Sequence, residues 1–211
     1  MSWNVRTGIR FLEIFGMTRR LIVGISGASG AIYGIRLMKL LRACDGIEIH
    51  LVISTAGERT ISEETDYSLA EVRELAHVNH PLRNIGASIA SGSFRNMGMV
   101  IAPCSVRTLG AVAYCQAENL LSRAADVTLK EGRPLILLLR ETPLHAGHIK
   151  AMELACRAGA VIMPPVPAFY NRPQTLDDIV DHTVGRVLDR IGIEHEAFPR
   201  WTGLVCPRGA K

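Results

Sequence analysis

Lysine is scarce in this chain. It occurs only at positions 39, 130, 150 and 211, so nearly all of the 24 basic residues are arginine, and against 20 acidic residues they leave a formal charge of +4. So small an excess excludes the broad basic surface that nucleic acid requires. Long apolar runs are also missing: none approaches the roughly 18 residues of a membrane-spanning helix, and the expectation is no membrane association. The five cysteines (44, 104, 115, 156 and 206) include no C-x-x-C pair and are odd in number, which argues against a zinc site and a disulfide framework and fits a reducing cytoplasm. At 48% hydrophobic and 21% charged residues, the composition excludes wholesale disorder, a collagen-like repeat and a long coiled coil. A length of 211 residues suits one domain with its own core.

Short apolar runs are present instead, at Leu21 to Ile25, Ile47 to Ile53, Met99 to Ala102, Pro134 to Leu139 and Ala160 to Met163. Stretches with helical spacing separate or follow them: Ala31 to Ala43, Val106 to Tyr114, Asn119 to Lys130, Ile149 to Arg157 and Thr175 to Ile191. This order predicts an α/β fold, a three-layer Rossmann-like or flavodoxin-like arrangement around a mostly parallel sheet, in a single domain. Ligands in such folds bind in the loops at the carboxyl ends of the strands. His77 to Asn96 shows no clear period and reads as an inserted loop. Residues 1–18 are basic and partly apolar without a signal-peptide core, so they read as a flexible extension. The domain is then expected over 19–196, followed by a tail over 197–211.

The strongest local signal is Gly24-Ile-Ser-Gly-Ala-Ser-Gly30-Ala31, where a strand breaks into glycines and resumes as a helix. Exposed amides, the helix dipole and the hydroxyls of Ser26 and Ser29 favour an anion there, although a tight turn alone would also ask for glycine. The spacing is G-x-x-G-x-x-G, and the second strand ends in Ser54-Thr55 where a dinucleotide site wants an acid. NAD is therefore disfavoured and a mononucleotide such as FMN preferred. The lysine of an ATP-binding phosphate loop is absent as well. Pro103-Cys-Ser-Val-Arg-Thr108 repeats the phosphate-friendly pattern at the next strand end, with Ser105 and Thr108 as ligands and Cys104 as a core residue. Arg140 and Glu141 close the fourth run. Together with Arg123, Lys130 and Arg186 they could form a second anion site, with Tyr170 and Trp201 offering aromatic faces. His145 and His148 share a helix face, but no third metal ligand accompanies them.

Several separated motifs resemble the UbiX/Pad-type flavin prenyltransferases: GISGASGAIYG at 24–34, EETD at 63–66, SGSF at 91–94, PCS at 103–105, RAADVTLKEGRP at 123–134, RETPLH at 140–145, PAFYNRPQT at 167–175 and PRW at 199–201. The resemblance spans Arg20 to Gly203. It implies a Rossmann-like homo-oligomer, typically a dodecamer, that joins a dimethylallyl group from dimethylallyl phosphate to N5 and C6 of reduced FMN. The product, prenylated FMN, would serve a UbiD-type decarboxylase, and no metal is required. The resemblance places Gly27, Ala28, Ser29, Ser54, Ser105, Val106, Arg107, Thr108 and Arg140 at FMN. It places Arg123, Lys130, Glu141, Tyr170, Arg186 and Trp201 around the prenyl donor, with Ser29, Glu64 and Glu141 in catalytic roles. Two other readings exist. A flavin-dependent decarboxylase of cysteine-derived carboxylates would need a histidine on the first helix, and Ala31 to Leu41 has none. An FMN-carrying accessory subunit would leave Arg123, Lys130, Glu141, Arg186 and Trp201 without a task.

Overall fold

The computed structural model describes residues 19–201 and 203. Among these, strands β1 (Arg19–Ile25), β2 (Ile47–Ile53), β3 (Val78–His80), β4 (Met99–Cys104), β5 (Leu135–Leu139) and β6 (Ala160–Ile162) form one sheet. The strand order is β3-β2-β1-β4-β5-β6, with every neighbouring pair parallel. Period-two alternation along the strands divides the core in two. Leu21, Val23, Ile25, Ile136 and Leu138 point to one face, whereas Ile22, Leu135, Leu137 and Leu139 point to the other. Burying an aliphatic side chain contributes about 1.5–3 kcal/mol, and a one-residue slip would send each set to the wrong face, so register is strongly specified.

Among the described residues, seven helices cover the two faces: α1 (Ala31–Arg42), α2 (Thr55–Glu64), α3 (Leu69–Glu74), α4 (Val106–Ala113), α5 (Leu120–Lys130), α6 (Ala146–Arg157) and α7 (Leu176–Arg190). The first core takes residues from α1, α2, α3 and α7, and the second takes them from α4, α5 and α6. The expected three-layer α/β architecture is therefore present. None of these helices is long and apolar enough to cross a membrane.

The stretch expected to be a loop contains β3 and a short 3-10 turn at Ser88–Ala90. Helices α2 and α3 were also not apparent in the sequence pattern. The reason is amplitude: a three-residue edge strand shows no period, α2 buries only Gly57 and Ile61, and α3 buries only Val72. The expectations for residues 1–18, and for 202 and 204–211 of the tail, lie outside the described residues.

From β1 the chain moves outward through β2 to β3, then returns to place β4 on the other side of β1. The reversal opens a crevice above the carboxyl ends of β1 and β4, the usual ligand position in an open α/β sheet.

Candidate active site

Three helices begin at this crevice. At α1, Gly30 adopts a left-handed φ of 99°, a conformation that glycine enters without steric cost. Its amide donates to the Glu64 carboxylate at 2.6 Å, so the end of α2 steadies the start of α1. Gly27 is required by closeness, since a Cβ there would collide with Ala56. Ser54 caps α2 by accepting the Gly57 amide at 3.0 Å, and Ser105 caps α4 by accepting the Thr108 amide at 3.3 Å. Each capping oxygen satisfies one first-turn amide. The others have no intrahelical partner and, with the helix dipoles, make this edge electropositive.

Between the three helix starts lies a cavity of about 590 Å³, within the usual range for small-molecule sites. Gly27, Ala28 and Ser29 line it from the β1 loop, Ser54 from the end of β2, Ser105 to Thr108 from the start of α4, and Arg140 and Glu141 from the end of β5. Arg140 is exposed and forms no ion pair among the described residues, while Arg107 is held by Glu118 at 3.4 Å. The lining fits FMN: orphan amides and a guanidinium for the phosphate, serine and threonine hydroxyls for ribityl oxygens, and Ser54-Thr55 rather than an acid at the end of β2, where a dinucleotide's ribose diol would be held. Cys104 is fully buried in the second core, and burial pushes its thiol pKa far up, so it is a packing residue and no nucleophile.

Ser26 departs from expectation. Its hydroxyl is 1% exposed, donates to the Pro103 carbonyl at 2.9 Å and accepts the Ser105 amide at 2.8 Å. With these bonds made, it is a tie between loops and no anion ligand.

The family model described as Flavoprotein matches residues 16–188. Flavin prenyltransferase UbiX of Escherichia coli (strain K12) is 59% identical over 187 residues, covering 88% of this chain and 99% of that protein. The chain belongs to the UbiX flavin prenyltransferase family. Its UbiX relative from Thauera aromatica is 56% identical over 184 residues, 87% of this chain and 94% of that protein. Among solved UbiX-type structures, AnUbiX (PadA1) in complex with FMN and dimethylallyl pyrophosphate aligns with a TM-score of 0.87 at 45% identity, covering 89% of this chain and 100% of that one. The dodecameric FMN-dependent UbiX-like decarboxylase from Escherichia coli O157:H7 aligns at 0.86 with 48% identity, covering 87% and 100%.

Other UbiX-motif residues stand apart from the cavity. Glu64 does not line it; its carboxylate accepts the amide of Gly30, the residue after the lining Ser29. Arg123 pairs with Asp126 at 3.0 Å near the start of α5, and Lys130 pairs with Glu131 at the far end of that helix. At 1.5 Å rise per residue, Lys130 is roughly 15 Å further from the crevice than Leu120. Tyr170, Arg186 and Trp201 also lie outside the lining: Tyr170 sits on a 3-10 turn (Phe169–Asn171) and Arg186 on α7, with the Trp201 ring edge-on to Tyr170. One chain therefore brings together the expected FMN residues and Glu141, and leaves the other expected donor residues on its outer surface.

The structure adds lining residues the motifs did not single out: Leu82 after β3, and Glu118, Asn119, Leu121 and Ser122 at the start of α5. The capping box of Asn119 and Ser122 was the available signal. His145 caps α6 by accepting the Gly147 amide, and its ring lies against His148 at a 30° tilt with centroids 3.6 Å apart. No group of three or more His, Cys, Asp or Glu among the described residues is placed to hold a metal.

Proposed function

We propose that the chain is a flavin prenyltransferase. It joins a dimethylallyl group from dimethylallyl phosphate to N5 and C6 of reduced FMN: the C–O bond breaks, N5 and C6 each exchange a hydrogen for carbon, one of those two protons is taken up by the central allyl carbon as its double bond is consumed, and the other leaves with the phosphate. It supplies the prenylated FMN to a UbiD-type decarboxylase in the cytoplasm. The observation that carries this reading is the crevice at the β1/β4 switch point, walled by three helix N-termini and Arg140, in a chain 59% identical to a flavin prenyltransferase.

Gly27, Ala28, Ser29, Ser54, Ser105, Val106, Arg107, Thr108 and Arg140 hold FMN, the amides and guanidinium taking its phosphate. Arg123, Lys130, Tyr170, Arg186 and Trp201, with Glu141, receive the donor. The cations neutralise the phosphate that departs with the C–O electron pair, and the aromatic faces stabilise positive charge on the allyl group. Because only Glu141 of this donor set lines the chain's own cavity, the others complete the cavity of a neighbouring copy in a homo-oligomer, as a dodecamer would allow. Ser29 and Glu141 move protons at the cavity, and Glu64, exposed at the end of α2, exchanges a proton from the loop side while one of its carboxylate oxygens accepts the Gly30 amide. The working unit is residues 19–196, with the tail 197–211 supplying Trp201.

Anaerobic incubation of the purified protein with reduced FMN and dimethylallyl phosphate, followed by mass analysis of the released flavin, tests the reading. A flavin heavier by one isoprenyl unit is the expected result. Tightly held but unmodified FMN with both dimethylallyl phosphate and the pyrophosphate would overturn it in favour of a carrier role.

A further inference from the structure

Tyr170 is gripped at both ends. Its ring meets Trp201 edge-on, with centroids 5.5 Å apart at 77°, and its hydroxyl lies 3.0 Å from His182 Nε2. His182 belongs to α7, which buries Val180, Thr183, Val184, Val187 and Leu188. His182, Arg186 and Asp189 follow one another at i, i+4 and i+7 and so form one stripe on the helix. The tail returns along that stripe: Phe198 packs on His182 with centroids 4.6 Å apart, and Arg200 makes two hydrogen bonds to Asp189 at 2.7 and 2.8 Å. A half-exposed phenol, a guanidinium and an indole are thereby gathered beside one helix. This is suitable equipment for a small phosphate ester whose carbon end becomes positive. His182 has no part in the function argued so far.

A tyrosine hydroxyl has one proton to give. If it donates to His182, none remains for a phosphate oxygen. With hydrogen on Nε2, the imidazole donates to the phenol oxygen instead, and the phenol proton stays available. We propose that His182 is a positioning residue for the prenyl donor, its Nε2–H donating to the Tyr170 oxygen so that the phenol is held in place and its own proton is given to the donor's phosphate. The inference rests on the transferase reading and deepens it. Burial, aided by the nearby Arg186 charge and opposed by Asp189, lowers the His182 pKa. The ring is then neutral near pH 7 and needs no charge to play this part.

Steady-state prenylation at saturating reduced FMN, with dimethylallyl phosphate varied, compares the wild type with His182→Phe and His182→Gln. The phenylalanine keeps the ring packing on Phe198 and loses the donor, whereas the glutamine amide restores one. His182→Phe is expected to retain FMN as the wild type does and to raise KM for the donor about fivefold, the usual weight of one neutral hydrogen bond, with a smaller change in kcat. His182→Gln should recover most of that loss. In a Tyr170→Phe background, His182→Phe should cost nothing further, because the hydroxyl it serves is gone. A His182→Phe enzyme with the wild-type KM, a glutamine variant as impaired as the phenylalanine one, or an additive loss in the Tyr170→Phe background would each overturn the proposal. A wild-type chain that makes no prenylated flavin would overturn the transferase reading, and this inference with it.

Discussion

The Ser26 hydroxyl accepts the Ser105 amide across 79 residues of sequence, while donating to the carbonyl of Pro103. One buried oxygen therefore fastens the β1 loop to the β4 loop at the point where the cavity opens. Ser26→Ala should leave the Ser105 amide without its acceptor, while the Pro103 carbonyl keeps the Ser26 backbone amide, at a cost of about 1–3 kcal/mol. In a chain of this size that corresponds to a thermal midpoint lower by several degrees. Differential scanning calorimetry measures this, and a flavin titration should show weaker FMN binding because the cap of α4 shifts with Ser105.

Arg140 is the exposed cation of the cavity without an ion-pair partner among the described residues. Arg140→Ala should weaken FMN binding by about ten- to a hundredfold, the range for a lost hydrogen bond to a charged group, and leave the fold intact. Fluorescence quenching of added FMN gives the affinity, and circular dichroism checks the fold. An unchanged affinity would remove Arg140 from the flavin site.

Ser29→Ala and Glu64→Gln should both retain FMN and form product more slowly, by about a hundredfold if each moves a proton in the rate-limiting step. The glutamine is informative because its side-chain oxygen can still accept the Gly30 amide that Glu64 accepts at 2.6 Å. Geometry is kept and only the charge is lost. Normal turnover by Glu64→Gln would reduce its role to steadying the loop.

Acid should destabilise the protein through a histidine pair remote from the cavity. His50 lies 2.9 Å from His80 and 2.8 Å from Glu48, which also pairs with Arg20. Burial lowers the pKa of both histidines. At His50 the bond to Glu48 opposes this without overcoming it, and Arg20 and His77 add to the lowering. Because the folded state resists protons that the unfolded chain accepts near its ordinary value of about 6.5, stability is complete above that pH and declines as pH falls below it. The carboxylates held low, Glu48 and Asp189 among them, give way only in a lower pH range. The thermal midpoint at about pH 5.5 should therefore lie several degrees below that at about pH 7.5, and His50→Gln should flatten the slope.

Much of the cavity lining was legible because its local structure is set by neighbouring residues. A glycine at positive φ, a serine before a helix and a strand running into both are written in consecutive residues, and a helix start presents its free amides whatever surrounds it. The parallel sheet was legible for a similar reason, since strands buried on both faces read as unbroken apolar runs. Short edge elements were not. The α2, α3 and β3 segments bury too few side chains to impress a period on the sequence.

Sequence by itself determined the α/β class, the anion-friendly loops at 27–30 and 105–108, the absence of an acid after the second strand, and the family. Only the tertiary structure decided that Ser26 is a tie, that α5 contributes Asn119 and Ser122 to the cavity, and that Lys130, Tyr170 and Trp201 stand away from the cavity of their own chain. The physical reason is that a hydroxyl's role depends on which partners the fold brings within about 3 Å, and helix pitch with strand order, not sequence distance, sets which side chains share a site.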